Sequence, residues 1–318
     1  MIYLEHFGLR EAPFSITPDT DFFYAPSHQA ALNTLLVALR SGEGFLKITA
    51  EVGCGKTILC RQLLRQLHDE FVTAYIPNPD MGANDLFRAV AQELGITLPR
   101  RISRYAMLET LREKLLALAA LSRPVVVCID EAQAIPLETV ESLRLLSNLE
   151  TEKRKLIQIV LLGQPELDTK LALPEVRQLL QRITFADELG PLNEDQVGEY
   201  LAHRLQRAGQ RVRMAPTFTP EAVTLVHRYS GGVPRMVNVV AHKCLMLAFG
   251  EVQDQVGADH VRWSAGDTPA VQDAGAPGAV QGGVLQLRSG MRGVMRGLMR
   301  GLPGSISGQQ RADDGARP

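Results

Sequence analysis

A chain of 318 residues that is 45% hydrophobic and 22% charged has the make-up of an ordinary globular protein, long enough for one large core and a smaller second one. Its net charge of −1 argues against a protein whose main work is coating nucleic acid. No apolar stretch approaches the roughly 20 residues of a membrane span, and the opening MIYLEHFGLR carries Glu5 and no signal-peptide core, so a cytoplasmic location is expected. The cysteines Cys54, Cys60, Cys128 and Cys244 show no C-x-x-C spacing, and the histidines no metal-ligand spacing, so neither a disulfide nor zinc is expected.

After a Pro- and Phe-rich entry, the apolar spacing predicts a helix from Ser27 to Arg40. Phe45 to Thr57, FLKITAEVGCGKT, is an apolar run that turns glycine-rich and ends in Gly-Lys-Thr, which reads as a strand feeding a phosphate-binding loop and a helix reaching His68. A polyphosphate needs converging backbone N–H groups and no Cβ in the way, which Gly53 and Gly55 allow. Lys56 then brings an ammonium to the outer phosphates and Thr57 a hydroxyl to Mg²⁺, while the helix opening at Lys56 adds the positive end of its dipole. The loop residues are Ala50, Glu51, Val52, Gly53, Cys54, Gly55, Lys56, Thr57 and Ile58, and Ala50 stands where the usual pattern has its first glycine. Cys54 is either a small filler or a thiol-sensitive point in the loop.

The alternation continues, with strands at Phe71 to Ile76, Val125 to Ile129, Leu156 to Leu162 and Ile183 to Glu188. Between them lie helices at Asn84 to Leu94, Ser103 to Leu121, Leu137 to Leu149, and Pro165 to Gln181 with a break at Pro174. Strands that are apolar throughout and alternate with helices imply an α/β fold: a parallel sheet covered on both faces. From Asn193 the strand signal stops. Asn193 with Gln196 is a capping-box pattern for a helix to Ala208, Thr219 with Pro220 opens a second to Ser230, a third runs from Pro234 to Phe249, and a short element covers His260 to Trp263. The expected division is a phosphate-loop α/β domain over 1–190, a small helical domain over 191–263, and a disordered Gly/Arg/Met-rich tail over 264–318. Within that tail, MRGVMRGLMRGL at Met291 to Leu302 is either a flexible basic segment or a short amphipathic anchor for peripheral membrane association.

The strand VVVCIDE ends in Asp130 and Glu131, and in a parallel sheet that end shares an edge with the phosphate loop. There Asp130 would hold Mg²⁺ and Glu131 would deprotonate the attacking water; the plainer alternative is a solvated acidic turn. Gln164, just past the next strand, either reaches the γ phosphate or caps the following helix. Arg182, with Arg177 as its rival, lies where a subunit could extend a guanidinium into its neighbour's nucleotide. Arg235 follows Pro234 at a helix N-terminus, where its charge opposes the dipole and calls for an anion, either a nucleotide phosphate or a local acid such as Glu221.

These motifs resemble the AAA+ ATPases and, within them, the general secretion pathway protein A family, which includes the ATPase of MSHA (mannose-sensitive haemagglutinin) pilus biogenesis. The likeness runs from Met1 to about Trp263 through YLEHFGLREAPFSITPDTDFFYAPSHQAAL, IDEAQAIPLETVESLRLLSNLET, LLGQPEL, LLQRI and GGVPR. The resemblance implies Lys56 and Thr57 as Walker A residues, Asp130 and Glu131 as Walker B, Gln164 as first sensor, Arg182 as a finger acting in trans and Arg235 as second sensor. It also implies a sheet order 5-1-4-3-2, an adenine site around Tyr24 to His28, ATP and Mg²⁺ as ligands, and a homo-oligomeric ring, for which a hexamer is one size. Inner-membrane pilus or secretion assembly proteins are the implied partners, and peripheral association with that membrane the implied site of work. Secretion members continue into a membrane span and a peptidoglycan-binding domain, whereas this chain ends after its polar tail, which favours the shorter pilus-type relative. The rivals are a DNA-stimulated ATPase of transposition or replication and a nucleotide-gated scaffold with little turnover. No Asn-Lys-x-Asp guanine motif appears.

Overall fold

The structure, a computed structural model, describes residues 3–15, 26–150, 155–209 and 217–268. Tyr24 and Ala25 of the expected adenine site, and the expected tail beyond Thr268 with its Met-Arg-Gly repeat, lie outside the described residues.

Five strands, β1 (Phe45–Ala50), β2 (Val72–Ile76), β3 (Val125–Ile129), β4 (Ile157–Gly163) and β5 (Ile183–Leu189), form one parallel sheet in the order β2-β3-β4-β1-β5. This is the order implied by the family resemblance. Every residue of β3 is buried, and its side chains alternate between two cores. Val125, Val127 and Ile129 join Leu86, Phe87, Met107, Leu111 and Leu143 from α3 (Ala83–Glu93), α4 (Arg104–Ala120) and α5 (Leu137–Ser147) on one face. Val126 and Cys128 join Leu32, Leu35, Leu59 and Leu63 from α1 (Pro26–Arg40) and α2 (Lys56–Leu67) on the other. The period of two along the strand explains why an unbroken apolar run is needed: each face must be apolar to exclude water. After β4, the short α6 (Glu166–Leu171) and α7 (Arg177–Leu180) are separated by a single 3-10 turn at Pro174–Val176, where proline interrupts the expected helix.

The third core is helical, built from α8 (Glu194–Arg207), α9 (Pro220–Ser230), α10 (Pro234–Gly250) and α11 (Ala258–Gly266). Asn193 and Gln196 do form the capping box, with reciprocal bonds of 3.0 and 2.9 Å. Thr219 caps α9 through the Ala222 N–H, and Gly231 ends it at φ 60°. α11 continues to Gly266 rather than stopping at Trp263, because Ser264 and Ala265 are buried against this core.

The expected boundary at residue 190 puts the entry segment with the sheet, yet Tyr3, Phe7, Leu9 and Phe14 are buried in the helical core. The physical reason is that these large side chains find their apolar cover on the helices, and a fully buried Arg204 of α8 ties the segment down through the carbonyls of Pro13 and Ser15. Tyr3 adds a bond of 2.9 Å to His242 of α10.

Candidate functional site

The phosphate loop leaves the central strand β1 and enters α2 through two glycines in the left-handed region, Gly53 at φ 89° and Gly55 at φ 91°. Any other residue there would be strained. Space is short as well. A Cβ on Gly55 would sit 2.6 Å from Nε2 of His28, and one on Gly53 would sit 2.9 Å from Cβ of Arg235 and 3.0 Å from Cγ1 of Val233. The glycines therefore admit the protein's own close neighbours. Buried His28 donates from Nε2 to the Cys54 carbonyl at 2.6 Å, and burial holds its ring below the ordinary 6.5 despite that bond. α2 starts at Lys56 with no side-chain cap on its N-terminus, so its first amides face the loop.

Lys56 is buried, and its ammonium donates to the carbonyls of Ala50 and Glu51. Ala50, at the end of β1, is thus the acceptor for the lysine and is itself fully buried, so the missing glycine does not open the turn. Glu51 and Val52 are exposed at the loop's crest, Cys54 is buried beneath it, and Ile58 is half-buried on the first turn of α2. Cys54 is buried and burial pushes its thiol up, as suits a small filler at this position.

Asp130 and Glu131 leave β3 on the same sheet edge as the loop. Between β3 and β1 lies only β4, whose end carries Gln164. Thr57 on α2 donates to Asp130 Oδ2 at 3.1 Å, Tyr75 of β2 donates to the same oxygen at 3.2 Å, and the Glu131 N–H donates to Oδ1 at 3.0 Å. Burial raises the Asp130 carboxyl above its ordinary 3.8, against the pull of those bonds. A buried carboxylate with a hydroxyl at contact distance and no cation paired to it among the described residues suits a hard divalent ion bound through oxygen. Thr57 and Asp130 are the residues that would hold such an ion.

Glu131 sits at φ 51°, ψ 39°, a left-handed conformation rare outside glycine. Burial pushes its carboxyl up, but the amides of Gln133 and Gln164 and the charge of Lys56 outweigh this and hold it below the ordinary 4.5. Gln164 donates from Nε2 to Glu131 Oε2 at 3.2 Å, so its side chain lies in this cluster. Its backbone N–H donates to Oε1 of Gln133 at 3.0 Å.

The arginines divide. Arg235, at the start of α10, lies against Gly53, its backbone N–H 3.3 Å from the Gly53 carbonyl, and no ion pair with Glu221 occurs among the described residues. The turn that carries it is locked: Gly232 is at φ 73°, and a Cβ there would sit 2.0 Å from the Leu192 carbonyl oxygen. Arg182 precedes β5, beside the start of β1, and donates to Ser147 at 2.7 Å. It is on the sheet edge opposite the phosphate loop, a strand length of roughly 20 Å away. Arg177 is exposed on the same side.

Residues missed by the sequence reading are Gln133, His28 as a support of the loop, Tyr75, and Lys170, which donates to the carbonyls of Gln133 and Ile135. Only Gln133 carried a local signal, as an amide two residues past the paired acids.

Residues 39–171 match the model of an AAA domain. General secretion pathway protein A of Aeromonas hydrophila is 40% identical over 275 residues, 86% of this chain and 50% of that protein, so the chain spans half the length of this curated relative. Among solved structures, Cdc6p of Pyrobaculum aerophilum superposes with a TM-score of 0.60 at 19% identity, covering 80% of this chain and 70% of that one. The Aeropyrum pernix ORC2 protein gives 0.57 at 18%, covering 80% and 72%. The RuvB branch migration motor of Thermotoga maritima gives 0.52 at 16%, covering 80% and 73%; these likenesses concern the fold. With its phosphate loop, paired acids and strand order, the chain belongs to the AAA+ P-loop proteins, among the relatives of general secretion pathway protein A.

Proposed function

We propose that this chain is a Mg²⁺-dependent ATPase that works as a homo-oligomer and couples hydrolysis to assembly of a secretion or type IV pilus-like apparatus at the inner membrane. The observation that carries the reading is the bond between Thr57 and Asp130, which joins the phosphate-loop helix to the acid pair at one sheet edge, with Glu131 beside them. Lys56 moves from its own loop carbonyls to the outer phosphates, and the α2 amides and Gly53 and Gly55 cradle the rest. Thr57 and Asp130 would hold the divalent ion, which would supply charge neutralisation at the phosphates. Glu131 accepts the proton of the attacking water, and Gln164, bonded to Glu131, senses the γ phosphate. Arg235 reaches the nucleotide from the helical unit, so closure of that unit follows the bound state.

Arg182 cannot serve its own nucleotide from the opposite sheet edge. Its use as a finger requires a second copy of the chain, which the proposed homo-oligomer would supply. The partnership with secretion or pilus proteins is supported by the relative of that name and not by any residue of the site. The test is phosphate release by the purified chain with ATP, with magnesium or with a chelator in its place. Magnesium-dependent turnover is expected. No turnover with either, or turnover raised strongly by duplex DNA and suppressed by salt, overturns the reading in its enzymatic or its secretion part respectively.

A further inference from the structure

We propose that Gln133 is a positioning residue for hydrolysis: its side-chain amide fixes Oε2 of Glu131 and so leaves Oε1 as the oxygen that meets the attacking water. The inference rests on the reading of Glu131 as the base.

Gln133 Nε2 donates to Glu131 Oε2 at 2.6 Å, while Gln133 Oε1 accepts the backbone N–H of Gln164 at 3.0 Å. The orientation of this amide is fixed by its partners, because an ionised carboxylate only accepts and a backbone N–H only donates. The side chain of Gln164 donates to the same Glu131 Oε2 at 3.2 Å. Two donors therefore converge on Oε2, and Oε1 has no hydrogen-bond partner among the described residues.

Gln133 is itself held on several sides. Lys170 of α6 donates to its backbone carbonyl and, at 2.7 Å, to that of Ile135, which pins the 3-10 turn at Ala132–Ala134. At the end of β4, Gly163 leaves room for the amide: a Cβ there would sit 3.3 Å from Gln133 Oε1 and 2.7 Å from Leu167 Cδ2. Gln133 thus spans the ends of β3 and β4 and aims a side chain whose backbone already occupies an uncommon conformation. A brace of this kind acts on the orientation of the base and not on nucleotide affinity.

The substitutions separate the two ends of the amide. Gln133→Glu keeps an acceptor for the Gln164 N–H but has no donor for Glu131, whereas Gln133→Ala removes both. With the full chain and magnesium ATP, both are expected to lower kcat on the order of 10-fold or more, as misaimed catalytic groups do. KM and calorimetric affinity for the nucleotide should stay within about twofold. Gln133→Asn, which keeps the amide on a shorter stem, should recover part of the loss. In a Glu131→Gln background, Gln133→Ala should cost no further turnover, because the group it positions is gone. Melting curves identify any variant that fails to fold, and Gln133→Glu carries the test if Gln133→Ala does. Parent-like kcat in both Gln133→Ala and Gln133→Glu, with Glu131→Gln defective, overturns the brace alone. A Glu131→Gln protein as active as the parent overturns the base and the brace with it.

Discussion

The two edges of the sheet differ in what they gather. At the edge where β1, β3 and β4 end, an ammonium, hydroxyls, amides and two carboxylates converge within hydrogen-bond distance, and Asp130 has no cation paired to it among the described residues. At the edge where the strands begin, Arg182 rests on Ser147, and buried Gln158 keeps an Oε1 with no hydrogen-bond partner. The first edge is a place where charge has been gathered for something to be bound. The second carries Arg182, a strand length of roughly 20 Å from its own chain's phosphate loop. In the proposed homo-oligomer, that guanidinium would complete the site of another copy.

The largest expected effect breaks that complementarity. Arg182→Ala should lower turnover on the order of 10³-fold with nucleotide binding intact, as for other arginine fingers. Mixing it with the Lys56→Ala chain should restore activity, because each copy supplies what the other lacks; parent-like turnover of Arg182→Ala at high concentration would remove the finger. Next, Glu131→Gln should bind ATP normally and lose on the order of 10²-fold in kcat, read by single-turnover hydrolysis. Lys56→Ala should weaken ATP binding by about 1.5–3 kcal/mol, read by calorimetry, from lost charge-assisted contacts. Smallest is a change at the far edge. Gln158→Leu replaces a buried amide whose Oε1 lacks a partner with an apolar side chain and should alter stability by less than about 1 kcal/mol, with unchanged ATP binding. A marked loss of binding in Gln158→Leu would mean that the two edges are not functionally separate.

Much of the first edge could be read locally. The glycines, Lys56 and Thr57 are contiguous, Asp130 and Glu131 close an apolar strand, and the Asn193–Gln196 cap and the GGVPR turn are short patterns with their own geometry. What escaped reading depends on contacts between distant segments. Nothing near His28 announces that it supports the Cys54 carbonyl, and nothing near Tyr75 announces its bond to Asp130. Gln133 lies beside the acids in sequence, but its role appears only when β4 brings Gln164 alongside. Position in the chain places the entry segment with the sheet, whereas burial of Tyr3, Phe7 and Phe14 follows the helices that cover them. The sequence pattern gives Gly53 a role in leaving room for phosphate, and in the fold its missing Cβ admits Val233 and Arg235.

The most direct test of the central claim is calorimetric titration of the purified chain with ATP, with and without magnesium, beside Lys56→Ala. The account predicts one saturable site per chain, tightened by magnesium and weakened by the substitution. Absence of binding, or binding indifferent to both magnesium and Lys56, would contradict it.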